Sequence, residues 1–161
     1  MKYSTFGAMI ATSTIVMFGL MYLNTYSLDH ILFSETRAWM AIVMGATMAV
    51  IMLAFMLGMY RNRTANIAIF AAAIIAFAGS LYLVRSQDTV ADVAWMKAMI
   101  PHHSIAILTS ERANISDPRV RKLADEIIEA QRREIGEMKA LIAEVSDGNT
   151  VDSIYQDPPA E

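Results

Sequence analysis

Apolar residues fill the first half of the chain in three blocks without a break. Residues 3–28, 38–60 and 64–84 carry no charged side chain. Each block supplies the ~20 residues that a helix needs to cross a ~30 Å hydrocarbon core. The pattern predicts membrane spans at about residues 4–24, 38–60 and 65–84. Lys2 before the first block imitates a signal peptide. That block is too long, lacks a clean small-x-small cleavage site and is followed by two more spans, so an uncleaved anchor is expected.

After Arg85 the pattern becomes amphipathic. A helix is expected from about Thr89 to Ala113, kinked near Lys97–Ile100 because Pro101 removes a backbone donor and crowds the preceding turn. Asn114 can end it, and Asp117-Pro118 suits the cap and first turn of a second helix running to about Val145. Asp147-Gly148-Asn149 should break that helix and leave 147–161 as a mobile tail. The expected fold is all-α. A three-span transmembrane domain covers 1–85 and an extramembrane antiparallel helical hairpin covers 86–146.

Charge sharpens this division. Six charged side chains lie in residues 1–84 and 23 in the remainder. Lys2, Arg61 and Arg63 on one side, against Arg37 and Arg85 on the other, favour a cytoplasmic amino terminus. Residues 25–37 and 86–161 then face outward, away from the cytoplasm. With three spans these two segments share a compartment whichever way the chain inserts, so His30, His102 and His103 lie on one side. The net charge of −3 gives no basic footprint for nucleic acid. The absence of cysteine excludes disulfide frameworks, zinc ribbons and thiol catalysis.

The hairpin carries the candidate chemistry. Steps of three and four along the second helix pick out Val120, Ala124, Ile127, Gln131, Glu134, Met138, Leu141 and Val145 as its seam. The matching series on the first helix is Asp92, Met96, Met99, His103, Ala106 and Ser110. A turn near residue 115 or 116 brings Met99 level with 132–134, Met96 level with 136–138 and His103 level with 128–131. Gly136 should permit close approach. A carboxylate in a seam needs an ion, donor or proton. Thioether sulfur selects Cu(I) and imidazole suits copper generally, so a metal site fits. The competing account is a satisfied core, with Glu134 bonded to a histidine or arginine across the helix pair and methionines filling gaps. No Glu-x-x-His tetrad or HExxH is present, which disfavours diiron and zincin sites. No nucleophile–base pair or cofactor motif indicates an enzyme.

The stretch WMKAMIPHHSIAILTSERANISDPRVRKLADEIIEAQRREIGEMKALI resembles the bacterial "domain of unknown function 305" family over about residues 88–145. The M-x2-M-x2-HH block, DPxVR-x-LA and Q-x2-EI-x2-M carry the match. The resemblance implies a ferritin-like four-helix bundle and, for studied relatives, extracytoplasmic copper binding and copper tolerance. It implies Met96, Met99, His102, His103, Glu134 and Met138 as metal ligands, with Cu(I) favoured and Cu(II) an alternative. Many relatives are soluble and carry two hairpin copies, whereas this chain has one hairpin and three spans. A hairpin of about 55 residues buries too little surface to stand alone. A homo-oligomer, dimeric or larger and even-numbered, would complete four helices.

Two further sets complete the reading. Asp29, His30 and Glu35 in the first loop offer a second metal site or hand-off point, against the blander account of interfacial polar packing with Asp29 or Glu35 paired to Arg37. Met40, Met44, Met48, Met52 and Met56 stack at steps of four along the second span, with Met59 beyond them and Met17 and Met21 in the first. They form either a packing stripe or a thioether ladder for soft cations. Small residues at Gly45 and Ala49, and at Ala68, Ala72, Ala76 and Ser80, should let the spans pack closely. The function expected is copper sequestration or delivery, with a copper carrier or efflux protein as partner. The alternatives are a metal-free assembly module and a soft-metal transporter or channel.

Overall fold

The computed structural model describes residues 2–146, so the expected tail and the break at Asp147-Gly148-Asn149 lie outside the described residues. Five helices follow one another: α1 (Tyr3–Leu20), α2 (Glu35–Phe55), α3 (Arg63–Ser86), α4 (Asp92–Arg112) and α5 (Pro118–Ser146). A 3-10 turn at Leu28–His30 lies between α1 and α2, and no strand occurs among the described residues. The chain is all-α. It divides into two compact units, one joining residues up to Leu23 with Ser34–Val90, the other joining Asn24–Phe33 with residues from Ala91 on.

The first unit contains α1, α2 and α3, each long and apolar enough to cross a membrane. α2 packs against both neighbours through a row of small residues, Ala41, Gly45, Ala46 and Ala49, closed by Leu53. The row works because small side chains let helix backbones approach. A Cβ at Gly45 would run into the side chain of Thr14 on α1, whose hydroxyl donates to the Ile10 carbonyl at 2.8 Å. On α3 the buried positions are Asn66, Ala73 and Ser80. Of the small-residue row read from the sequence, Ala68 and Ala72 are exposed, Ala76 is half-buried and Ser80 buried, so only its C-terminal half reaches the contact face.

The helices of this unit start and stop where caps allow rather than where apolarity changes. Ser34 accepts from the Arg37 N–H at 3.2 Å and starts α2 ahead of the apolar block. Asn62 accepts from Ala65 N–H at 3.1 Å and starts α3. Between them residues 56–60 remain apolar but turn, and Tyr60 folds back into the core beside Phe6, Leu53 and Ala73. Its ring meets Phe6 edge-on at 5.5 Å. Its hydroxyl is buried with no hydrogen-bond partner among the described residues.

The second unit is the α4–α5 hairpin with the first loop laid on it. Met96, Ile100, Ile107, Ile135 and Met138 form its core, with Val93, Met99, Ile128, Ile142 and Leu32 packed around them. Both core stripes keep Met96, Ala124 and Met138 of the expected seams and are otherwise shifted by one residue. Ile100 and Ile107 lead on α4, and Ile128, Ile135 and Ile142 on α5, while Val120 and Leu141 are exposed. β-branched isoleucine at seven-residue spacing outcompetes the mixed polar series for the interior, as transfer free energy requires. Pro101 is buried inside α4 without ending it. Gly136 is exposed with open space around its Cβ position, so the expected close approach at this glycine does not occur.

Candidate metal centre

His103 is anchored at both ring nitrogens. Its Nδ1 lies 3.0 Å from the Met99 carbonyl one turn back on α4, and its Nε2 lies 2.8 Å from Glu134 Oε2 on α5. A carbonyl only accepts, so Nδ1 carries the hydrogen. Nε2 then turns its lone-pair position toward a carboxylate oxygen, also an acceptor. One proton or one cation must lie between them. The imidazole side chain is 13% exposed and the carboxylate 40%, so the pair sits at the edge of the core rather than in its middle. This corrects the premise of a fully buried Glu134.

Glu134 also stands three residues beyond the level expected for His103. The cause is side-chain direction: every Cα–Cβ bond tilts toward its helix N-terminus. In an antiparallel pair, α4 side chains lean away from the turn and α5 side chains lean toward it. Partners therefore meet at higher residue numbers on α5 than backbone level suggests. The pair Arg132–Glu111, at 3.4 Å, is displaced in the same direction and further.

Of the other expected ligands, Met96 and Met138 are buried in the core and Met99 packs against it. Met96, Met99 and Met138 thus share one cluster, with His103 and Glu134 at its margin. His102 is exposed, its ring 6.2 Å from that of His103 and turned by 69°, and it does not join them. Among the described residues no group of three or more His, Cys, Asp or Glu side chains stands close enough to hold a metal ion. Any ion held here would take thioether sulfur alongside His103 and Glu134. That donor set is chemically fit for Cu(I).

The first loop forms a strap across α4. Ser104, fully buried, accepts the Tyr26 N–H at 2.7 Å and lies 2.9 Å from His30 Nδ1. His30 Nε2 lies 3.7 Å from the Asp29 carboxylate. Asp29 bonds Lys139 of α5 and the Ser27 hydroxyl. The Lys139 ammonium, then the Ser27 hydroxyl, hold its carboxyl far below the usual range. Burial pushes the His30 imidazole down, against the pull of Asp29. At the far end the Arg132 guanidinium lies 5.9 Å from the centre of the Tyr26 ring. Asp29, His30 and Ser104 have the residue types of a hydrolytic triad, but Ser104 has no exposed surface, and its oxygen is engaged by two strap groups.

Asp29 and His30 are thus spent on the strap. Glu35 belongs to the other unit, where it accepts from Trp39 Nε1 at 3.2 Å. Ser104 and Tyr26 escaped the sequence reading, because a serine inside an apolar helix and an aromatic in a loop carry no spacing signal. The methionines of α2 flank its buried face. Met44, Met48, Met52 and Met56 are half-buried, and Met40 and Met59 exposed.

A helical hairpin bearing an M-x2-M-x2-HH face and a Glu across from it defines the class. Residues 82–157, a little under half of the chain, match the family described as Domain of unknown function (DUF305). Uncharacterized protein L153 of Acanthamoeba polyphaga mimivirus is 39% identical over 66 residues, which cover 40% of this chain. The match spans 43% of that relative's length. No solved structure matches the chain.

Proposed function

We propose that this is a bacterial inner-membrane protein whose hairpin and first loop form a periplasmic soft-metal site for copper sequestration or delivery. Copper is its cargo, received from or passed to a copper carrier or efflux protein, and its role is binding rather than catalysis. Three helices apolar enough to span a bilayer support the membrane reading. The packing of residues 24–33 with the hairpin fits three spans, which require both segments on one face.

One observation carries the metal reading. His103 commits Nδ1 to a carbonyl and directs Nε2 at the Glu134 carboxylate, beside a core containing three methionines. An ion there would take the place of the hydrogen bridging Nε2 and Oε2. Competition titration of the full chain with buffered Cu(I) tests this. H103A and M96L should each weaken binding. Unchanged binding in both variants would remove the site.

A second reading has its own support. His103 and Glu134 close directly on each other, the contact expected of a metal-free core. The hairpin would then be an assembly module, and the pair a device for helix register. Both readings include self-association, because Val120, Leu123 and Leu141 leave an apolar stripe exposed on α5. A monomeric mass in mild detergent, with the hairpin folded, would exclude it.

A further inference from the structure

Outside the hairpin, sulfur also gathers between α1 and α2. Met17 of α1 and Met44, Met48 and Met52 of α2 line a single groove of about 400 Å³. All four are half-buried. On α2 alone the methionines form a one-sided stripe, with side chains four residues apart stacked along one face. Met17 changes this by bringing a thioether from the opposite helix, so donors approach from two directions. Beside them Thr47 spends its hydroxyl on the Val43 carbonyl at 2.8 Å, and the remaining lining is aliphatic. Sulfur is the donor this groove offers in number.

We propose that the α1–α2 groove is a thioether-only binding site for Cu(I). The chemistry selects the ion. Neutral, soft sulfur favours Cu(I) over hard cations. No acidic side chain lines the groove to offset the charge. A divalent ion would therefore enter a low-dielectric region with twice the charge and no counter-ion, at far greater desolvation cost. Packing alone does not call for sulfur here, since leucine fills similar volume between apolar helices. The site is separate from His103 and Glu134 and does not depend on the hairpin reading.

The test uses the full chain in lipid nanodiscs, titrated anaerobically with chelator-buffered Cu(I), with X-ray absorption reporting the copper ligands. The quadruple variant M17L/M44L/M48L/M52L should lose one copper equivalent and its sulfur-only signature. The hairpin variant H103A/E134Q should keep that equivalent, and the control M9L/M59L should match wild type. Should the hairpin variant behave as wild type in every respect, the hairpin reading fails while the groove stands. Wild-type stoichiometry and spectrum in the quadruple variant would overturn the groove and leave these methionines as packing.

A second measurement needs no substitution. Ag(I), a soft monovalent ion without accessible redox chemistry, should slow peroxide oxidation of Met17, Met44, Met48 and Met52 to sulfoxides several-fold relative to Met9 and Met59, read residue by residue by mass spectrometry. Equal slowing at all six positions, or none, would also overturn the proposal.

Discussion

His30 Nδ1 lies 2.9 Å from Ser104 Oγ, joining a residue of the first loop to the fully buried face of α4. The contact spans 74 positions of sequence. It makes the second unit a three-segment structure of strap, α4 and α5, in which Leu32 of the strap packs on the same cluster as Met96 and Met138. An isolated hairpin would lack this wall, so binding measurements belong on the full chain.

Replacing Ser104 tests the strap. S104A strands the Tyr26 N–H and removes the partner of His30, and should destabilise the second unit by about 1–3 kcal/mol, the usual cost of an unmet buried polar group. Hydrogen exchange at the Tyr26 amide should accelerate accordingly. Unaltered protection there would mean the strap is held by its apolar contacts alone.

Acid should loosen the same strap. His30 is shifted down by burial, so in the folded state it resists a proton that the free side chain accepts near pH 6.5. The unfolded state then binds more protons as pH falls through that range, and stability drops with it. Asp29 acts in the same sense at lower pH. Its depressed carboxyl adds stability above the ordinary carboxylate value near 4, lost as pH falls further. Tyr26 protection, corrected for intrinsic exchange, should decline from pH 7.5 toward pH 5, and H30F should flatten that decline.

In the first unit, Tyr60 is a site where removing an atom helps. Its ring fills the core between Phe6 and Leu53, but its hydroxyl is buried and unpartnered. Y60F keeps the ring and deletes the unmet group, so it should be neutral or stabilising by up to about 1–3 kcal/mol. Y60A should cost about 3–5 kcal/mol through the cavity it leaves. Thermal unfolding in detergent would rank the two, and a large loss in Y60F would contradict the account.

Gly45 and Thr14 should behave as a coupled pair. G45A drives a methyl group into the Thr14 side chain and should cost about 1–3 kcal/mol, as overpacking does. G45A/T14A should recover most of the loss, because the second change vacates the space the first requires. Additive losses would show that α1 and α2 do not meet at this point.

The sequence displayed the helices far better than their faces. Charge-free blocks and the Asp117-Pro118 start were legible because length and capping are local properties. The seam of the hairpin was not, since steps of three and four allow two stripes one residue apart on both α4 and α5. The stripe through Met99, His103 and Glu134 collects the chemistry, whereas Ile100, Ile107, Ile128, Ile135 and Ile142 carry the burial, with Met96 and Met138 common to both. The pairing of His103 with Glu134 nevertheless emerged, because both lie at the margin of the true seam and lean toward each other along the helix axes. The strap was invisible. Nothing in Tyr26, His30 or Ser104 taken singly announces a contact across 74 positions.

The most direct test of the metal account is NMR of the two ring nitrogens of His103 as the full chain is titrated with Ag(I), a closed-shell surrogate for Cu(I). The account predicts a large shift and silver coupling at Nε2, while Nδ1 keeps its hydrogen and its bond to the Met99 carbonyl. Two nitrogens that stay unmoved at saturating silver, with the bond to Glu134 intact, would contradict it.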